Sequence, residues 1–394
     1  MAKIKLNEAQ IKELLSRGVE EIIDYKDLEA KLKSGQKLRI KLGIDPTSPN
    51  IHLGRSIPLL KMRDFQNLGH QIIFIIGDFT GTIGDTSDKT SERPMLEESE
   101  IKANIKTYVK QAGKVVDIKK CEIYYNSTWL SKLKYAEICR QANIFSINEF
   151  ISRDNIRRRL DKGSRVSLRE VLYPLMQGYD SVVVKADVEL GGTDQRFNLL
   201  SGREMQRHYN QAPQNIITNP LVEGLDGRKM SSSWGNTVNL LDSASDMFGK
   251  LMSLKDEYII KYFTLLTRIP LEKIKEYETS LKNGANPRDI KLLLAKEIVA
   301  FYHSEKIAQE QAENFINVFS KKKQPSEIPT LKPSVPDLLS VLLEAKLVTS
   351  KSEARRVLEQ GGVKVDSQVI KDADFKLKPG MVIQKGKLHY LKII

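Results

Sequence analysis

The sequence predicts an α/β protein: a Rossmann-like parallel-sheet domain, then an all-helical domain, then a small α+β domain at the C-terminal end. Three observations carry that expectation. Apolar runs at 38–44 and 71–76 flank a helix-patterned segment, the order of a parallel sheet with a right-handed crossover. Strand signals fade between about 242 and 319, where helical spacing takes over. A charged, Pro-interrupted run from 321 then separates a compact tail. The expected divisions are 1–240, 241–320, a linker at 321–333, and 334–394.

Taken in order, residues 7–34 carry Ile11, Leu14, Leu15, Val19, Ile22 and Ile23 at helical spacing and predict an N-terminal helix. Leu38–Ile44 predicts the first strand. Ile51–Leu68 predicts a helix with Leu53, Ile57, Leu60 and Leu68 toward one side, and Pro58 predicts a kink or a late start in it. Gln71–Ile76 predicts a strand buried on both faces. Val182–Val184 and Asn215–Thr218 are further strand candidates. In the tail, 350–366 reads as a helix, a glycine turn and a strand.

The bulk numbers fit a chain with a sizeable core: 394 residues, 40% hydrophobic and 29% charged. The 63 basic residues outnumber the 50 acidic ones, giving +13. That balance favours a polyanionic partner or a polyphosphate substrate, and equally describes a merely basic protein. Cys121 and Cys139 form no C-x-x-C pair, so neither a zinc site nor a disulfide scaffold is expected, and no metal ligand set is assigned. The longest strongly apolar run, Ile72–Ile76, is too short to cross a bilayer, and Met1–Glu8 lacks a secretory signal. A cytoplasmic protein with no membrane partner is the expectation.

Two segments suit phosphate. Gly43-Ile44-Asp45-Pro46-Thr47 through Ile51-His52-Leu53-Gly54-Arg55 lies where a parallel strand ends and a helix begins, the edge at which open α/β sheets bind ligands. His52 can donate to a phosphoryl oxygen, Gly54 lets a nucleotide approach the backbone, and Arg55 adds a positive fork. The same residues also suit a helix cap with a surface histidine. Gly227-Arg228-Lys229-Met230-Ser231-Ser232-Ser233 could close over a triphosphate, or be only a flexible loop. Further on, Tyr173, Gln177 and Asp180 stand at i, i+4 and i+7, one face of a helix that fits a polar pocket wall or a solvated surface.

In this order the two phosphate segments resemble the paired HIGH and KMSKS motifs of class I aminoacyl-tRNA synthetases. Arg55 stands where the second His is usual and Ser232 where a second Lys is usual, which shifts the burden of charge to Lys229. Gln177-Gly178-Tyr179-Asp180-Ser181, followed by Ala186-Asp187-Val188-Glu189-Leu190-Gly191-Gly192-Thr193-Asp194-Gln195, is similar to the bacterial tyrosyl-tRNA synthetases, and the likeness spans nearly the whole chain.

That resemblance implies activation of L-tyrosine by ATP, with Mg²⁺ carried on the nucleotide, and transfer of tyrosine to tRNA(Tyr). It implies that Asp180 accepts from the substrate phenol, that Tyr173, Gln177 and Asp85 surround the α-ammonium, and that Gln195 lies near the carboxylate. Gly43, Asp45, Thr47, His52, Gly54, Gly192, Asp194, Lys229 and Met230 would contact ATP. Thr47, His52, Arg55, Lys229, Ser231 and Ser232 would carry the chemistry. Lys41 occupies the place of a second phenol-binding tyrosine found in some relatives.

For RNA, Lys351, Arg355 and Arg356 lie on a tail that resembles the S4-like fold and holds 11 basic against 7 acidic residues. Lys89 and Arg93 would add charge beside the triphosphate or the RNA, or form a solvated cluster. The likeness also implies a homodimer. Rival readings are a tryptophan-activating relative and an RNA-binding protein on an inactive scaffold.

Overall fold

The computed structural model describes residues 3–87, 95–320, 328–348, 350–386 and 389–394, with side chains of 318–320 left aside. Lys89, Arg93 and most of the expected linker lie outside the described residues. The chain divides into two compact units, Met1–Gln309 and Glu310–Ile394.

The first unit is built on a six-stranded sheet of β1 (Glu21–Ile23), β2 (Arg39–Ile44), β3 (Gln71–Ile76), β4 (Cys121–Tyr125), β5 (Val188–Gly192) and β6 (Asn215–Asn219), in the order β1-β6-β5-β2-β3-β4. All pairings are parallel except that of β1 with β6. Ile72 to Ile76 are fully buried, as a strand covered on both faces requires. The chain runs outward from β2 through β3 to β4, then returns to lay β5 and β6 on the other side of β2. The order therefore reverses between β2 and β5, and a crevice opens at their carboxyl ends.

The predicted helix after β2 is Leu53–Asn67, and it begins on time: Pro58 sits inside its second turn. Two other expectations are corrected. The segment 7–34 is not one helix but Glu8–Ser16, the short strand β1, and Tyr25–Ser34. Gly18 at φ +62° and Asp24 at φ +68° turn the chain through the left-handed region, which an α-helix cannot pass. Ile22 and Ile23, which fit a helical stripe, instead pair with Ile217 and Ile216.

Val182–Val184 is not a strand but the last turn of the helix Leu168–Val184. A capping box between Ser167 and Glu170 starts that helix, and its packing against Arg196–His208 carries it through the β-branched residues. The actual strands β4 and β5 are not among those that apolar runs predict. Both are short, and β5 holds a glutamate and two glycines.

Between 241 and the end of the first unit lie the helices Ala244–Met252, Ile259–Leu266, Leu271–Lys282 and Pro287–Tyr302, and Glu305–Ser320 begins there. Their apolar faces bury Leu251, Leu294, Ile298 and Val299. In the second unit the helices Leu338–Glu344 and Lys351–Glu359 cover a sheet of β7 (Thr330–Leu331), β8 (Val363–Val365), β9 (Gln368–Val369), β10 (Val382–Lys385) and β11 (His389–Ile393). Its core is made by Leu338, Val341, Leu342, Leu358, Val363 and Ile383. The helix, glycine turn and strand expected at 350–366 are present, with Gly361 at φ +69°.

Candidate active site

At the reversal between β2 and β5 lies a cavity of about 260 Å³. Gly43, Ile44 and Asp45 enter it from the end of β2, Gly77 and Thr80 from beyond β3, Asn126 from beyond β4, Gly191 and Gly192 from the end of β5 with Asp194 and Gln195 just past it, and Leu221 and Val222 from beyond β6. Tyr173, Gln177 and Asp180 of one helix face line one wall, so their spacing marks a pocket rather than a solvated surface. Thr47, His52, Gly54, Arg55, Asp85, Lys229, Met230, Ser231 and Ser232 also line it.

Asp180 is 3% exposed, and its carboxylate is held from two sides. Trp129 Nε1 donates to Oδ1 at 2.7 Å, and Asn126 Nδ2 donates to Oδ2 at 3.2 Å. Burial pushes its pKa up to about 7, against the pull of the Lys41 charge and of those two hydrogen bonds. Tyr173 donates its hydroxyl to Asp45 Oδ2 at 2.8 Å; burial and then the Asp45 charge raise its pKa, so the phenol stays protonated. Thr80 Oγ1 donates to the other Asp45 oxygen at 2.7 Å. A Cβ on Gly77 would stand 2.0 Å from that oxygen, so only glycine fits beside Asp45.

Gln195 Nε2 donates to Asp85 Oδ2 at 2.7 Å, and Ser87 Oγ donates to Asp85 Oδ1 at 2.6 Å. Two expected tyrosine-binding residues are thereby fixed to one another.

At the other end, His52 caps the helix Leu53–Asn67: its Nδ1 accepts from Arg55 N–H at 3.3 Å, which puts the imidazole proton on Nε2. His52 is 6% exposed, so it is a cap within the cavity wall and not a surface histidine. The missing side chain of Gly54 leaves room for that imidazole, 3.1 Å from where a Cβ would be. The Arg55 fork is held by Tyr108 Oη at 2.8 Å and Thr47 Oγ1 at 3.4 Å. Lys229 Nζ lies 2.9 Å from Asp194 Oδ2, pairing two residues expected to contact nucleotide from separate rims. Ser232 is exposed and Ser231 buried. Asn236 pins the loop, accepting from Ser231 N–H at 2.9 Å and donating to Asp226 Oδ1 at 2.7 Å and Lys229 O at 3.1 Å.

Asn126, Trp129, Gly77 and Asn236 join the site without a motif that points to them. The one signal legible in the chain is the position of Gly77 directly after the predicted strand Gln71–Ile76. Lys351, Arg355 and Arg356 are exposed on the helix Lys351–Glu359 of the second unit.

The cavity thus joins a buried carboxylate, a set of ammonium-compatible acceptors and a cationic loop opposite a helix start. The family model described as tRNA synthetases class I (W and Y) matches residues 33–320, and that of the S4 domain matches 338–383. The chain is 44% identical over 391 residues to a tyrosine–tRNA ligase of Thermotoga maritima, covering 98% of this chain and 97% of that one. It is 46% identical over 385 residues to one of Shewanella oneidensis, covering 96% and 97%. The fold is shared with a crystal structure of tyrosyl-tRNA synthetase from Archaeoglobus fulgidus complexed with L-tyrosine, at TM-score 0.62 and 23% identity, covering 77% of this chain and 99% of that one. By its family match and its full-length relatives, the chain belongs to the class I tRNA synthetases of the tryptophan and tyrosine group, in the bacterial tyrosyl-tRNA synthetase branch.

Proposed function

We propose that the cavity holds L-tyrosine and MgATP side by side, joins them as tyrosyl-adenylate, and passes the tyrosyl group to tRNA(Tyr). The observation that carries this reading is Asp180, a carboxylate buried at the cavity wall with Trp129 and Asn126 fixing both of its oxygens. A buried acceptor of this kind is matched by the hydroxyl of tyrosine and left unpaired by phenylalanine.

In this reading Asp85, with Tyr173 and Gln177, receives the α-ammonium, and Gln195 orients the carboxylate. One carboxylate oxygen attacks the α-phosphorus of ATP, the bond to the bridging oxygen breaks, and pyrophosphate leaves with the electron pair. No side-chain nucleophile is needed, because the substrate brings its own. The enzyme supplies alignment and charge. His52 Nε2–H and Thr47 donate to phosphate oxygens. Lys229 exchanges Asp194 for the departing pyrophosphate, and Met230, Ser231 and Ser232 move with it. Gly43 and Gly54 border the nucleotide, while Gly192 and Asp194 take its ribose. A ribose hydroxyl at the tRNA 3′ end then attacks the tyrosyl carbonyl, and AMP leaves.

Lys351, Arg355 and Arg356 contact the RNA backbone, as do Lys89 and Arg93. The division into catalytic, helical, linker and S4-like parts assigns the helices of 241–320 to the anticodon arm. Among the described residues the segments between β4 and β5 expose Tyr135, Ile147, Leu160 and Leu168, apolar side chains that a second copy in a homodimer would cover. The likeness to full-length tyrosine–tRNA ligases supports work in the cytoplasm; separately, no helix among the described residues is long and apolar enough to cross a membrane.

The test is exchange of labelled pyrophosphate into ATP with each aromatic amino acid, followed by charging of tRNA(Tyr). Exchange with tyrosine alone is expected. Exchange with tryptophan would redirect the reading to its rival, and no exchange with any would leave an RNA-binding protein on an inactive scaffold.

A further inference from the structure

Behind the wall that carries Asp180 lies an ion pair that does not line the cavity. Lys41 of β2 and Glu189 of β5 are 0% and 1% exposed, with Lys41 Nζ 2.8 Å from Glu189 Oε1. The ammonium also donates to Gln177 O at 3.0 Å and to Ser181 Oγ at 2.7 Å. An ammonium has three N–H donors, and these three acceptors use them all. Glu189 is equally occupied: it accepts from Gln177 Nε2 at 3.1 Å, from Ser181 Oγ at 3.1 Å, and from Gln214 Nε2. Two of the partners, Gln177 and Ser181, bracket Asp180 on its own helix.

The donors that touch Asp180 are spent as well. Trp129 has a single N–H, and it points at Oδ1. Asn126 divides its two amide hydrogens between Asp180 and Thr80 Oγ1, at 3.2 and 2.9 Å.

Resting on the reading that Asp180 meets the substrate phenol, we infer that Lys41 and Glu189 are positioning residues, an opposed pair that clamps the Asp180 turn and sets its charge without either touching tyrosine. A salt bridge buried this deeply adds little net stability, and breaking it strands a charge. Its use here is electrostatic. Lys41 favours the ionised form of Asp180 and Glu189 disfavours it, while burial remains the largest influence. On the same helix Tyr173 feels the Asp180 charge together with those of Asp45 and Asp85, from the loops after β2 and β3. On the packed helix Arg196–His208, Arg203 is turned away to Gln214 O and Asp24. On Tyr135–Ala142, Glu137 is engaged by Tyr209 and Arg140. Among the described residues the cations that line the cavity, Arg55 and Lys229, stand at its nucleotide end, so the ring end takes a proton donor and not a phenolate.

The experiment follows the KM for tyrosine in pyrophosphate exchange from pH 5 to pH 9. Lys41→Met is expected to move the acid-side midpoint up, and Glu189→Gln to move it down, each by about one unit, with kcat at high pH changing less than KM. Shifts in the same direction, or none, would overturn the inference, since damage to packing alone does not reverse with the sign of the charge removed. A second arm needs no variant. A fluorinated tyrosine whose phenol ionises near neutrality is expected to lose affinity for the unmodified enzyme as that phenol ionises. Retained affinity would mean that Lys41 reaches the substrate oxygen. Absence of tyrosine-dependent exchange in the unmodified enzyme would instead sink the functional reading itself.

Discussion

The two ends of one cavity are built in opposite ways. Around Asp180 the groups come from β2, β5, a long helix and the turn after β4; Lys41, Asn126, Asp180, Ser181 and Glu189 are buried, Trp129 and Gln177 are half-buried, and almost every donor has a fixed acceptor. Around Lys229 they come from a loop and a helix start, and Lys229 and Asp194 keep side-chain exposures of 30% and 20%. The first end discriminates, and discrimination is served by groups that cannot relax when the wrong ring arrives. The second end handles charge that moves during the reaction, which calls for a cation whose resting partner can be exchanged. Rigidity and exchangeability are separated by position in the fold: sheet and helix for one, loop for the other.

The sharpest way to break this contrast is Asp180→Ala. Rejection of phenylalanine by about 10⁵-fold is known for enzymes of this type and serves as the ceiling. We expect kcat/KM for tyrosine to fall by about 10³-fold or more, with phenylalanine nearly unaffected, measured by pyrophosphate exchange with both amino acids. Equal loss for both would mean that the carboxylate supports the fold and not the choice of ring.

The loop end predicts a smaller and different loss. Lys229→Ala is expected to lower kcat by about 10²-fold, while the equilibrium Kd for tyrosine changes by less than about twofold. Comparable effects on both would place the loop in ground-state binding and erase the contrast.

How much of this was legible in the sequence follows the same division. The segments Gly43–Arg55 and Gly227–Ser233, and the face formed by Tyr173, Gln177 and Asp180, could be read because each is a run or a period within one stretch of chain. Glu189, Asn126 and Trp129 could not be assigned by such reasoning, because each acquires its meaning from a partner on another element, and Asn236 because its partners lie within an irregular loop that has no period to read. Lys41 shows the limit most clearly: in an apolar strand a lysine looks misplaced, and only the register of β2 beside β5 reveals the glutamate that neutralises it. The same holds for the elements. β3 is apolar on both faces and could be read, whereas Ile22 and Ile23 fitted a helical stripe until Gly18 broke it, and Val182–Val184 looked like a strand until the helix ran through it.

The last expected effect is on stability and not on turnover, and concerns the cost of the rigid end itself. Asp180 has its pKa raised from 3.8 to about 7, chiefly by burial. A carboxyl whose folded pKa lies above its unfolded value stabilises the fold fully below the unfolded pKa, and that contribution is lost as pH rises through the folded one. The window is therefore from about pH 4 to about pH 7. Across it the difference amounts to at most about 4 kcal/mol, at 1.36 kcal/mol per pKa unit. Asp180→Asn removes the titration while keeping the shape, so its melting temperature relative to the parent chain should be higher at pH 8 than at pH 4. Bound tyrosine should narrow the gap, because a phenol donating to the carboxylate favours the ionised form. For the same reason the affinity for tyrosine should weaken as pH falls below about 7, approaching tenfold per unit. A melting-temperature difference that stays flat with pH, or has the opposite sign, would mean that the selective end carries no such electrostatic cost.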